Sequence, residues 1–168
     1  MEFLTQRLWI GPINEPNLAA LTALLTDDIV KQTYMVPDFA SPAEAEALAR
    51  RLMQLSRNPD RYMAGIFRND DLIGIIHDTE IKDDTVELGY ALLPGYHNRG
   101  YCTEALRGAM DWLRQYGFRK VITGAFEENR ASIRVMEKCG MTRQPETEEI
   151  EYRDKIHRCV YYAATWEC

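Results

Sequence analysis

Leu92-Leu93-Pro94-Gly95-Tyr96-His97-Asn98-Arg99-Gly100-Tyr101-Cys102-Thr103-Glu104-Ala105 is the stretch on which the fold turns. A strand-like apolar run ends at Pro94. After Gly100 a helix pattern begins, with Ala105, Ala109, Trp112 or Leu113, and Tyr116 on the buried side, and Gly117 stops it. A helix start carries unpaired backbone N–H groups and the positive end of the macrodipole, so it suits a phosphate or pyrophosphate. Gly100 permits close approach of the backbone to a ligand, and Arg99 adds a cation. The same residues also describe an ordinary loop leading into a core helix. Neither G-x-x-x-x-G-K-[ST] nor G-x-G-x-x-G occurs, which excludes the P-loop and Rossmann fingerprints.

Upstream, Tyr62–Phe67, Leu72–Glu80 and Thr85–Leu93 read as a β-meander divided by Arg68-Asn69-Asp70-Asp71 and Lys82-Asp83-Asp84. Before it, Ser41-Pro42-Ala43-Glu44 is a capping-box helix start with proline at the first helical position, followed by Ala45, Leu48, Ala49 and Leu52 at helical spacing. Leu8–Ile10 gives a first strand. Asn14 caps a helix bearing Leu18, Leu21, Leu24 and Leu25, and Tyr34-Met35-Val36-Pro37 is a loop. Downstream come a strand, Val121–Phe126, an amphipathic helix, Glu128–Cys139, closed by Gly140, and a hairpin of Glu148–Arg153 with Arg158–Thr165. The order β, α, α, β, β, β, α, β, α, β, β predicts an α/β (α+β) fold: a mixed, mostly antiparallel sheet of about seven strands with helices on both faces. No repeat or Gly/Ser linker divides it, so residues 1–168 are expected to form a single domain.

Bulk properties narrow the function. Of 168 residues, 46% are hydrophobic and 27% charged, a globular rather than disordered balance. No apolar run is long enough for a transmembrane helix and the start lacks a signal-peptide layout, so no membrane partner and a cytoplasmic setting are expected. A net charge of −6 argues against nucleic acid as a partner. Cys102, Cys139, Cys159 and Cys168 form no C-x-x-C pair and do not cluster with His77, His97 or His157, so no metal site is expected. A terminal strand offers an edge for a homodimer, although edges are also left free or covered.

The segment His97-Asn98-Arg99-Gly100-Tyr101-Cys102 resembles motif A of GNAT acetyltransferases, [Q/R]-x-x-G-x-[G/A]. His97 departs from the family's Gln or Arg, and Cys102 from its Gly or Ala. Other words, in the right order over almost the whole chain, resemble the branch of ribosomal-protein N-terminal acetyltransferases. They are Leu4-Thr5-Gln6-Arg7-Leu8, Glu87-Leu88-Gly89-Tyr90, Glu128-Asn129-Arg130-Ala131-Ser132 continuing to Met141, and Val160-Tyr161-Tyr162 through Trp166.

The resemblance implies a GNAT fold, acetyl-CoA as co-substrate and an amine-bearing acceptor, either a peptide N-terminus or a small molecule. It implies that N–H groups from Asn98 to Thr103 hold the pyrophosphate. It also implies that the fourth strand splays from the fifth around Leu92, whose N–H meets the thioester oxygen. Asn129 and Ser132, three apart and hence on one helix face, reach the pantetheine or the sulfur. Direct transfer needs a base for the ammonium, for which Glu87 is the candidate ahead of Glu80 and His77, and a proton for the thiolate. The helix tyrosine that supplies this proton in many members is replaced by Met136, leaving Ser132 or a water. Tyr34, Met35 and Asp38 are expected at the acceptor mouth. A non-catalytic acyl-CoA sensor is the remaining alternative.

Overall fold

The computed structural model describes residues 1–166, so the thiol of Cys168 lies outside the described residues. All strands among them join one sheet. In chain order they are β1 (Phe3–Leu4), β2 (Trp9–Gly11), β3 (Ala64–Arg68), β4 (Asp71–Lys82), β5 (Thr85–Leu92), β6 (Lys120–Phe126), β7 (Thr142–Tyr152) and β8 (Lys155–Thr165). The helices are α1 (Leu18–Thr26), α2 (Pro42–Leu55), α3 (Tyr101–Gln115) and α4 (Arg130–Lys138). The spatial order β1-β2-β3-β4-β5-β6-β8-β7 is antiparallel everywhere except between β5 and β6, which α3 joins as a crossover.

Alternation along the strands sorts the core into two layers. Leu88 and Leu92 of β5, with Val121 and Ala125 of β6, pack on Ala105, Leu106, Ala109 and Leu113 of α3 and Ile133 and Met136 of α4. Ala91, Ile75 and Phe67 face the other way, onto Leu21, Leu24 and Leu25 of α1 and Ala49 of α2. Burial of each such leucine or isoleucine contributes roughly 1.5–3 kcal/mol, which anchors helices on both sheet faces.

The helix starts follow their caps. Ser41 Oγ accepts from the Glu44 N–H at 3.4 Å, while the Glu44 carboxylate reaches back to the Ala40 N–H at 2.9 Å, one residue beyond the expected partner. Asn14 caps a single 3₁₀ turn, Glu15–Asn17, before α1 proper begins. Asn129 caps α4, which therefore starts at Arg130 rather than Glu128.

The sheet is the expected mixed, mostly antiparallel one, and three details differ. An eighth strand, the two-residue β1, forms only by pairing Phe3 and Leu4 with Ile10 and Trp9, a tertiary effect too short to carry a pattern. Strand β7 begins at Thr142 rather than Glu148, because an irregularity between Arg143 and Thr147 absorbs Pro145, which cannot donate to a ladder. Tyr116 is 65% exposed, since α3 is already ending there and its ring stacks outside on Trp112 at 3.8 Å.

Candidate active site

Strands β5 and β6 pair only at Thr85–Lys120, Val86–Val121 and Glu87–Ile122. Beyond Glu87 they separate, so the sheet opens at Leu88, four residues earlier than the expected place at Leu92. The β4–β5 register fixes what faces the gap. The Leu93 N–H donates to Ile73 at 2.8 Å, so alternation directs residues 89, 91 and 93 to β4. Residues 88, 90 and 92 therefore point their N–H and C=O groups into the split. His97 takes up one of them: its Nε2 lies 2.9 Å from the Leu92 carbonyl, which only accepts, so Nε2 carries the proton. The unusual residue of the motif thus braces the loop to the open strand. The Leu92 N–H is left directed at the gap.

The loop runs straight into α3. Asn98 (φ 58°) and Gly100 (φ 78°) both adopt left-handed backbone. Gly100 suits this conformation best, and its missing side chain leaves the first N–H groups of α3 uncovered. Arg99 is exposed and does not line the cleft; its carbonyl accepts from Arg7 at 3.1 Å. Cations come instead from α4, where Arg130, Arg134 and Lys138 line the cleft at i, i+4 and i+8. That spacing is visible in the sequence and is the signal by which these residues are found.

The cleft has a volume of about 770 Å³ and passes through the sheet. On the α3/α4 face, the Ser132 Oγ stands 2.8 Å from the Tyr90 hydroxyl. Met136 is fully buried and does not line the cleft, whereas the Tyr90 phenol on β5 does. Tyr90 was not among the expected site residues; its odd-even placement opposite Glu87 and Gly89 is the signal for it. Burial raises its pKa and keeps the phenol protonated. The Asn129 carboxamide oxygen is used as a cap, accepting from the Ser132 N–H at 3.2 Å, which leaves its NH₂ to a ligand. The Thr123 hydroxyl is buried, lines the split and has no hydrogen-bond partner among the described residues. Cys102 is packed against the same wall, and burial pushes its thiol up to about 12, which removes it as a nucleophile.

On the α1/α2 face lie Glu87, Tyr34, Met35, His77, Cys159 and Tyr161. Glu87 is half-buried; burial first, then the charges of Glu80 and Glu148, lift its carboxyl above the ordinary range. Tyr34 bonds His77 Nε2 at 2.6 Å, and Tyr161 donates to Glu148 at 2.7 Å. Gly89 and Gly124, each two residues past the last paired rung, stand level across the split. A Cβ on Gly89 would meet the His77 ring at 3.0 Å, and one on Gly124 the Tyr161 ring at 2.9 Å. Both rings therefore lean over the opening because neither glycine has a side chain.

Asp38 does not line this cleft. It pairs with Arg153 and lies 3.6 Å from Lys31, tying the loop after α1 to the terminal hairpin. Tyr152 reinforces the tie by donating to the Lys31 carbonyl at 2.8 Å. Among the described residues no group of His, Cys, Asp and Glu could hold a metal, and no helix is long and apolar enough to cross a membrane.

Residues 7–142 match the family model described as Acetyltransferase (GNAT) domain. A protein of Bacillus subtilis (strain 168) named as an uncharacterized N-acetyltransferase, YnaD, is 26% identical over 146 residues, covering 86% of this chain and 84% of its own. Among solved structures, a GNAT-family acetyltransferase from Bacillus anthracis superposes with a TM-score of 0.84 at 22% identity, covering 98% of each chain. RimL, the ribosomal L7/L12 α-N-protein acetyltransferase in complex with coenzyme A, gives 0.85 at 19% identity, over 97% of this chain and 96% of its own. The microcin C7 self-immunity acetyltransferase MccE, in complex with acetyl-CoA and AMP, gives 0.83 at 14%, over 96% and 93%.

Proposed function

The chain belongs to the GNAT acetyltransferase family and is an N-acetyltransferase, and from that premise we propose that it transfers acetyl from acetyl-CoA to the amino terminus of a protein or peptide. The observation that carries the proposal is the opening of β5 from β6 after Glu87, directly above the loop that starts α3. The residues present suit acetyl-CoA. Uncovered N–H groups from Asn98 to Thr103 match a pyrophosphate, and Arg130, Arg134 and Lys138 offer cations beside it. The Thr123 hydroxyl and the backbone groups of Leu88 and Tyr90 along the split supply polar contacts for an amide-bearing arm.

Acetyl-CoA supplies the acetyl thioester that the amine attacks. Glu87 takes the proton from the acceptor ammonium; its raised pKa brings it nearer to neutral pH, where a general base works best. The Leu92 N–H donates to the carbonyl oxygen as negative charge grows there, an oxyanion-hole role. The Ser132 hydroxyl delivers a proton to the departing sulfur, and the second proton, which the attacking nitrogen sheds on becoming an amide, returns to the Tyr90–Ser132 pair, whose oxygens lie 2.8 Å apart. At the acceptor end, Ile29 and Met35 are 55% and 53% exposed, so a chain continuing from the amine can leave across that loop.

The test is release of free thiol from acetyl-CoA in the presence of N-terminal peptides and small amines. Acceptor-stimulated release that is fastest with peptides is the expected result. Tight acetyl-CoA binding without stimulated release would instead identify a sensor, and preference for small amines would move the acceptor class.

A further inference from the structure

We infer that the acceptor end of the cleft selects a primary amine held as an ammonium with no anion beside it, received by the phenol oxygens of Tyr34 and Tyr161; this rests on the N-acetyltransferase reading above. The hydrogen bonding fixes the direction of both phenols. His77 Nδ1 lies 3.0 Å from the Asp78 carbonyl, which can only accept, so Nδ1 carries the ring proton. Burial lowers the pKa of His77 and keeps the ring neutral, so Nε2 offers a lone pair and Tyr34 donates its hydroxyl proton there at 2.6 Å. Tyr161 donates its own proton to the Glu148 carboxylate at 2.7 Å. Both phenols line the cleft, and with their protons committed their oxygens have only lone pairs left to offer.

Glu87 adds a carboxylate on the same face. The other polar side chains lining that end, Gln32, Thr33 and Thr79, are neutral. Among the described residues the cations lining the cleft are Arg130, Arg134 and Lys138, all on α4 and on the opposite side of the split. Lys31 and Arg153, the nearest cations of the acceptor loop and hairpin, are turned onto Asp38. An ammonium has three donors and no acceptor, which matches two phenol oxygens and a carboxylate. A carboxylate next to the amine would face lone pairs and like charge with no cation to meet it. His77 and Glu148 act here as positioning residues, and Gly89 and Gly124 give the two rings room to lean in.

An isosteric pair of acceptors isolates the charge: tripeptide amides beginning with asparagine or with aspartate. The asparagine peptide should show a kcat/KM higher by about tenfold or more, the scale of an uncompensated like charge. The gap should narrow in Glu148→Gln. Tyr161→Phe keeps the ring over Gly124, and should raise the KM of the asparagine peptide about tenfold without changing the dissociation constant of acetyl-CoA. Ethanolamine against glycine gives the same comparison for small amines. Equal kcat/KM within both pairs, with turnover intact, overturns this selectivity and leaves the enzyme reading standing. Failure of all four amines to stimulate thiol release, while acetyl-CoA still binds, overturns the enzyme reading itself.

Discussion

The two halves of the cleft are built by opposite means. On the α3/α4 side, contacts come from backbone N–H groups of a loop and a helix start, with cations arranged along one helix. On the α1/α2 side, they come from side chains of five separate segments: Tyr34 from a loop, His77 from β4, Glu87 from β5, Tyr161 from β8 and Glu148 from β7. The loop and helix start of the first half are local in sequence and act through backbone, which is why His97 and Cys102 can depart from the motif without closing it. The second half exists only after the sheet has assembled. Substitutions should therefore separate cleanly into those that change acetyl-CoA affinity and those that change acceptor use.

The sharpest break is expected at Glu87. Glu87→Gln should lower kcat by about 10²-fold or more, the usual contribution of a general base, with acetyl-CoA affinity unchanged by calorimetry. The pH profile adds a second readout. Because burial raises the Glu87 pKa, the carboxylate that accepts the proton appears only above the ordinary carboxylate range, so wild-type kcat/KM should climb with pH through that displaced value. The variant should lose that limb and keep the one set by the acceptor's own amine. An unchanged profile would make Glu87 an electrostatic anchor for the ammonium and nothing more.

Next in size is the Tyr90–Ser132 pair, on the α3/α4 side. Ser132→Ala and Tyr90→Phe should each lower kcat by about tenfold, and the double variant by little more than either, because groups acting in series are not additive. Additive losses would mean that Tyr90 merely packs against α4. A smaller effect, on the same side of the cleft, is expected of Gly100→Ala. Its φ of 78° disfavours a Cβ, and a methyl group there would come within 3.4 Å of the Arg7 guanidinium. The cost should be about 1–2 kcal/mol, read as a lower melting temperature, together with weaker acetyl-CoA binding and an unaltered acceptor KM at saturating cofactor.

The same contrast explains what could be read before folding. The strand-to-helix turn at His97–Thr103, the Ser41 cap and the alternation of β5 are short-range features with one dominant outcome, and each occurs where expected. Tyr90 escaped because period-two alternation gives a face but not a partner, and its partner lies forty-two residues on. The basic line Arg130, Arg134 and Lys138 was legible as spacing, yet only the position of α4 turns it toward the cleft. Tyr161 was recognisable as part of a family word, but its bond to Glu148 depends on the hairpin register, which the irregularity near Pro145 shifts. The opening of β5 from β6 at Leu88 is likewise a pairing fact, invisible to any single strand.

Asp38 is where the smallest effect is expected. A lone acid in a loop beside Tyr34 and Met35 suggests a contact for a cationic acceptor, but Arg153 and Lys31 already neutralise it outside the cleft. Its side chain is 73% exposed, so the pairs are worth little in stability and are weakened further by salt. Asp38→Asn should therefore leave kcat unchanged and alter the acceptor KM by no more than about twofold, with any change vanishing at high ionic strength. Tyr152→Phe, which removes the bond to the Lys31 carbonyl, should loosen the same loop more, since a partly buried neutral hydrogen bond is worth about 1 kcal/mol and is not screened. If Asp38→Asn instead raised the acceptor KM about tenfold at high salt, the loop would have to turn Asp38 inward when the acceptor binds, and the acceptor half would then include it after all.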